Sequence, residues 1–204
     1  MPQARSSRAT NRIVGRADGK AQTNAAENLP LNLLHVGRPQ APPLYGFKKP
    51  EKYLPWSHAE ERLSESRNYW ICTTRPDGRA HSIPVWGIWV EGAFYFGTDR
   101  SSCKARNLAR NPAVSMHLES GDDVVILEGV AQEVPGVIET AKRDKALFSK
   151  LDAASRSKYK MPLMIVPDSV IYRVQPRVVL AWTEKDFPNN ATRWEFKVSG
   201  SAER

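Results

Sequence analysis

The chain has 204 residues, 41% hydrophobic and 25% charged, with a formal net charge of +8. That length sets one domain or two small ones, and the apolar fraction excludes wholesale disorder. No apolar run is long enough to span a bilayer. The two cysteines, Cys72 and Cys103, are too far apart for a C-x-x-C redox or zinc motif and too few for a disulfide scaffold. A reducing, cytoplasmic setting is therefore expected, with no membrane partner.

The positive charge is unevenly spread. Residues 1–50 carry eight Lys/Arg against Asp18 and Glu27, a net +6, and the rest of the chain holds only +2. A nucleic-acid-binding domain wears its charge on the folded face, so no nucleic-acid partner is expected. Seven of the fifteen prolines precede Trp56, and no aromatic residue precedes Tyr45. Residues 1–44 are accordingly read as a mobile basic tail and residues 45–204 as one domain. Within the tail, only Leu29 to Leu34 has the apolar content to dock on a groove.

Ser57 and Glu60 have capping-box spacing, which predicts a short helix over about 58–67. Period-two patterning then predicts a strand at Tyr69–Thr74, a turn at Arg75-Pro76-Asp77-Gly78, and a strand over 79–90. That second strand is apolar on both faces, so both must be covered, one by a core and the other by a ligand, a helix or a subunit. Glu91-Gly92 turns the chain into Ala93–Thr98, and a short helix follows at Ser102–Arg110. Val114, Met116 and Leu118 alternate along the next strand, and Gly121 leads into Val124–Val134. Helical spacing predicts one helix over 137–151. Val170–Val174, Arg177–Trp182 and Thr192–Val198 read as the last strands. Many antiparallel strands with few helices predict a mainly β fold, a small β-barrel with helical decoration. No Gly-rich dinucleotide fingerprint is present.

The segment from Gly97 to Asn107 carries the most chemistry. A strand ends, Thr98, Ser101 and Ser102 follow, and a helix opens with Lys104 and Arg106. Free N–H groups, hydroxyls and cations at a helix start suit a phosphate, although a capped helix with a solvated basic face has the same pattern. Trp86, Trp89, Trp182 and Trp194 either line a slot for a flat cofactor or form core. Arg193 adds a cation beside Trp194, and Asp122-Asp123 reads as an acidic turn. The four histidines show no metal-ligand spacing, and no nucleophile–base set is legible.

Several of these segments are also familiar as a set. Thr73 to His81 through Pro84-Val85-Trp86-Gly87, Lys104 to Pro112, Leu118 to Val125, Pro176 to Trp182 and Ala191 to Trp194 together resemble the pyridoxamine 5′-phosphate oxidase-like split β-barrel superfamily. The ending is similar to its flavin/deazaflavin oxidoreductase B branch. The resemblance spans roughly residues 55–197 and implies an FMN-binding-like split barrel, a homodimer with cofactor sites at the subunit interface. By position, Lys104 and Asn107 match phosphate-end contacts, with Thr98, Ser101, Ser102 and Arg106 nearby. Ile83, Pro84, Val85 and Trp86 match the segment along the tricyclic ring. Asp123, Val124 and Val125 match a strand entrance at the same pocket, and Trp182, Arg193 and Trp194 are further candidates. The function so implied is a coenzyme F420-dependent reductase acting on a small conjugated or aromatic substrate. An FMN-dependent oxidoreductase and a non-catalytic flavin, haem or tetrapyrrole binder are the alternatives.

Overall fold

A computed structural model describes residues 29–30, 32–40, 53–134, 137–163 and 168–197. The strands among them are β1 (Leu33–Gly37), β2 (Tyr69–Thr74), β3 (Ala80–Val85), β4 (Ile88–Val90), β5 (Ala93–Asp99), β6 (Ala113–His117), β7 (Asp123–Val134), β8 (Ser169–Thr183) and β9 (Thr192–Phe196). The helices are α1 (Trp56–Glu65), α2 (Cys103–Arg110), α3 (Val137–Arg143) and α4 (Lys145–Tyr159). All strand pairs are antiparallel, in the order β1-β9-β8-β7-β6-β2-β3, with β5 pairing both β4 and β8. This is the mainly β split barrel expected from the sequence.

The long strand β8 holds the two halves together. It pairs with β7 over most of its length, while its other edge meets β5 at Ser169–Val174 and β9 at Val178–Ala181. The two strands predicted at Val170–Val174 and Arg177–Trp182 are thus one. Pro176 has no N–H to give a ladder, and the register shifts opposite it, between Glu128 and Gly129. The barrel interior is packed with Tyr69, Ile71, Phe94, Met116, Leu127, Val179 and Trp194, and α1 closes one end with Trp56. The Trp56 ring meets Trp194 edge-on at 5.6 Å and Phe196 at 5.2 Å. A second apolar cluster lies where α3 and α4 cover Ile88, Tyr95 and Ile171.

Local expectations fail at identifiable places. The strand predicted over 79–90 breaks at Trp86-Gly87, where Gly87 lies against Phe94 too closely for a side chain; a Cβ there would be 2.1 Å from the ring. The helix predicted over 137–151 is two helices. Asp144 leaves helical geometry and caps α4, accepting a bond from the Leu147 N–H at 2.9 Å, and α4 runs on to Tyr159. The α1 helix begins at Trp56 after Pro55, so Ser57 lies inside it and the capping box does not form. β1 lies within the stretch read as a mobile tail. Leu33 and Val36 pack against the barrel core there, which gives this segment the apolar contact that the sequence around it lacks. Residues 1–28, 31, 41–52 and 198 are among those outside the described residues, as are the ends of the expected tail.

Gly129→Ala tests the close approach of β7 to β8 at this register shift. An added Cβ would lie 2.3 Å from the Gln175 carbonyl oxygen, backbone that no rotamer change can move. Overpacking of this kind costs about 1–3 kcal/mol. A correspondingly lower urea midpoint is expected, with an unchanged denaturant slope.

Candidate functional site

An open cleft of about 430 Å³ lies between the Trp86–Gly87 link, the end of β5, the start of α2 and the inner side of α4. Its walls are mostly apolar: Val85, Trp86, Ile88, Tyr95 and Phe96 on the sheet side, Leu151, Tyr159, Met161 and Leu163 on the helix side. At its polar end stand Thr98, Asp99, Lys104 and Ser169. Thus one end is polar, with both the Lys104 ammonium and the Asp99 carboxylate, and the remainder suits a flat apolar body.

Local hydrogen bonds shape the polar end. Ser102 is the N-cap of α2; its hydroxyl accepts from the Ala105 N–H at 3.2 Å and from the Thr98 hydroxyl at 3.1 Å. Asp99 accepts from both the N–H and the hydroxyl of Ser101, and the hydroxyl bond in particular holds this carboxyl below the usual range. The Arg106 guanidinium donates to the Ser101 carbonyl. Among the described residues Lys104 has no ion-pair partner. Burial lowers its pKa, since the cavity wall replaces water around the ammonium group. An anion in the cleft would restore what that burial removes.

At the apolar end Trp86 is 47% exposed and stacks on Tyr159, with ring centroids 4.7 Å apart and planes 12° from parallel. The Arg67 guanidinium also lies over the indole, 5.4 Å from its centroid. Behind this pair Lys158 donates to the Tyr69 hydroxyl and, at 3.4 Å, to the Gly87 carbonyl. Burial pushes Lys158 down from 10.5 to about 8 and pushes the Tyr69 and Tyr159 phenols up.

The residues singled out in the sequence divide into groups. Pro84, Val85, Trp86, Thr98 and Lys104 line the cleft. Ser101, Ser102 and Arg106 surround its polar end, but their polar groups bond within the chain. Asn107 is 2% exposed, and its amide donates to the Thr73 hydroxyl at 2.9 Å, so it ties α2 to β2. Ile83 is half-buried on β3. Val125 lies in the barrel core, as does Trp194, only 1% exposed. Arg193 bonds Glu195 at 2.8 Å. Asp123 receives Arg62 at 2.6 Å and faces His58 at 3.1 Å; Val124 and Trp182 are a register pair beside it. None of these last residues lines the cleft of its own chain.

Sequence reasoning missed the helix wall. Leu151, Ser155 and Tyr159 recur every four residues, which is one helical stripe. The signal was present, but the helix was expected to end at Leu151. Among the described residues no three His, Cys, Asp or Glu side chains are grouped to hold a metal, and no helix is long and apolar enough to cross a membrane.

Fold and cleft define a split-barrel protein with an amphiphilic cleft. Residues 56–183 match the family model for pyridoxamine 5′-phosphate oxidase, and the chain belongs to that family. Among solved structures it is similar to a conserved hypothetical protein from Mycobacterium tuberculosis, 24% identical with a TM-score of 0.55; the match covers 76% of this chain and 99% of that one. A likeness to an F420 reductase has 27% identity and a TM-score of 0.46, covering 64% and 97%. An FMN-binding protein from Nostoc punctiforme, related to pyridoxamine 5′-phosphate oxidase, is 17% identical with a TM-score of 0.48, covering 70% and 86%. No curated protein matches the chain.

The depressed Lys158 gives a pH test. Between about 8 and 10, the unfolded lysine holds a proton that the folded one has released. Stability therefore rises with pH across that interval. Above it, the raised tyrosines reverse the trend, since unfolded phenols ionise first. Lys158→Met is expected to flatten the rise, read from urea unfolding at stepped pH; an equal slope in both proteins would show that Lys158 is not its source.

Proposed function

We propose that the protein is a coenzyme F420-dependent reductase. The observation that carries this reading is the cleft itself: apolar walls that suit a planar ring, with the cation Lys104, which has no ion-pair partner among the described residues, at one end. Family membership supports it, as does the sequence resemblance of Pro176 to Trp182 and Ala191 to Trp194 to the deazaflavin branch. The residues present fit such a group. Lys104 and the start of α2 would hold its phosphate, and Val85, Trp86, Ile88 and Tyr159 would enclose its ring. The chemistry the coenzyme supplies when bound is hydride transfer to a small conjugated or aromatic substrate. The protein contributes placement, exclusion of water by the apolar walls, and charge neutralisation at Lys104.

An FMN-dependent oxidoreductase is the second reading, favoured by the family model and by the same cleft. Titration of the purified protein with both cofactors separates them. Micromolar binding of FMN with none of the deazaflavin would overturn the first reading, and binding without turnover of quinones or enones would point to a non-catalytic carrier. Lys104→Ala is expected to weaken whichever cofactor binds by about ten- to a hundredfold, the loss of one charge-assisted contact. The apo protein should melt as the parent does, and equal affinities would remove the anchor.

Within the same reading the protein is a homodimer. Pro84, Trp70, His117, Ile126 and Leu180 are register neighbours across five strands, and Trp182 adjoins them. All but Pro84, which is exposed, are half-buried, on the sheet face turned away from the barrel core. A broad face of this composition suits a second copy, which would bring Val124 and Trp182 towards the neighbouring cleft. Leu180→Arg should halve the mass seen in sedimentation equilibrium; a parent that sediments as a monomer would defeat the dimer.

A further inference from the structure

The Trp86–Gly87 link has no ladder of its own, since β3 ends at Val85 and β4 begins at Ile88. Packing against Phe94 also forces a glycine at 87, the residue with the most backbone freedom to lose. Yet the Gly87 backbone is buried and satisfied, and one side chain does most of that work. The Tyr159 hydroxyl accepts from the Gly87 N–H at 2.9 Å and faces the carbonyl oxygens of Gly87 at 2.9 Å and Arg67 at 2.8 Å. Its single proton can be donated to either. The same phenol ring stacks on Trp86 and is itself 8% exposed. Both rings line the cleft.

We propose that Tyr159 is a positioning residue for the ring end of the cleft: it pins the Trp86–Gly87 link to the end of α4 and so fixes the apolar wall against which the flat part of a ligand packs. The proposal deepens the cofactor reading and rests on it for the identity of that ligand. The pin itself rests only on the geometry around Gly87. Lys158 reinforces it from the neighbouring position through the Gly87 carbonyl. Lys104 lies at the opposite, polar end and is not part of the device. Loss of the hydroxyl should therefore act on ring binding and leave the anion end intact.

Tyr159→Phe in the full-length protein keeps the stack and removes the hydroxyl. Amide exchange followed by NMR should then accelerate about tenfold or more at Gly87, because a buried N–H loses its acceptor, while Leu127 in the barrel exchanges as before. Affinities for F420 and FMN should fall about tenfold, and inorganic phosphate should compete equally well in parent and variant. Unchanged exchange at Gly87, an equal acceleration at Leu127, or unchanged cofactor affinity despite faster exchange would each overturn the positioning role. Should the parent bind neither cofactor, the functional reading falls, and exchange at Gly87 alone still decides whether the pin exists.

Discussion

The β7–β8 ladder is the constraint on which the molecule depends. Its two strands pair from Asp123 with Thr183 to Val134 with Ile171, and β8 offers its other edge to two different partners. One half pairs with β9, which carries Trp194 and Phe196 into the barrel core; the other pairs with β5, which lines the cleft. For a single strand to serve both it must bend. The bend falls where Pro176 lacks a hydrogen-bond donor and Gly129 lacks the Cβ that would strike Gln175. Backbone chemistry at two residues thus accommodates the register shift between the two halves.

The cleft gains its asymmetry from how each end satisfies its polar groups. At the α2 end, Asp99, Ser101, Ser102 and Thr98 bond among themselves, leaving Lys104 as the cation that an anion would meet. Near Trp86 the backbone of the link is instead closed off by a phenol from α4, whose ring also extends the apolar surface. A ligand charged at one end and flat elsewhere fits both conditions. A ligand charged throughout would leave polar groups facing Leu151, Ile88 and Phe96 without partners, which is costly in a desolvated slot.

Much of this was legible in the chain. Alternation located β2, β5, β6 and β7 closely, and the hydroxyl-rich approach to α2 marked the polar end of the cleft, with Lys104 and Thr98 among its lining residues. The same local pattern could not tell which polar groups face the cleft. Ser102 reads alike as an anion ligand and as an N-cap, and Asn107 as a ligand or as a strut to Thr73. Those choices turn on which element lies opposite, a matter of packing over long sequence distances. The tryptophans divided for the same reason: Trp194 fills the barrel, whereas Trp86 stands at the cleft.

By itself the sequence determined the class of fold, because period-two alternation and turn residues act within a few positions of one another. It determined, too, where the charge lies and which stretch opens with a cation beside a helix start. Only the tertiary structure decided that Leu33–Gly37 joins the sheet, that β8 is continuous through a proline, and that α4 reaches Tyr159 to meet Gly87 seventy-two positions away. Each of these is settled by a partner remote in the chain, a neighbouring strand edge, a register shift or a buried backbone group. Local preference carries no record of such partners.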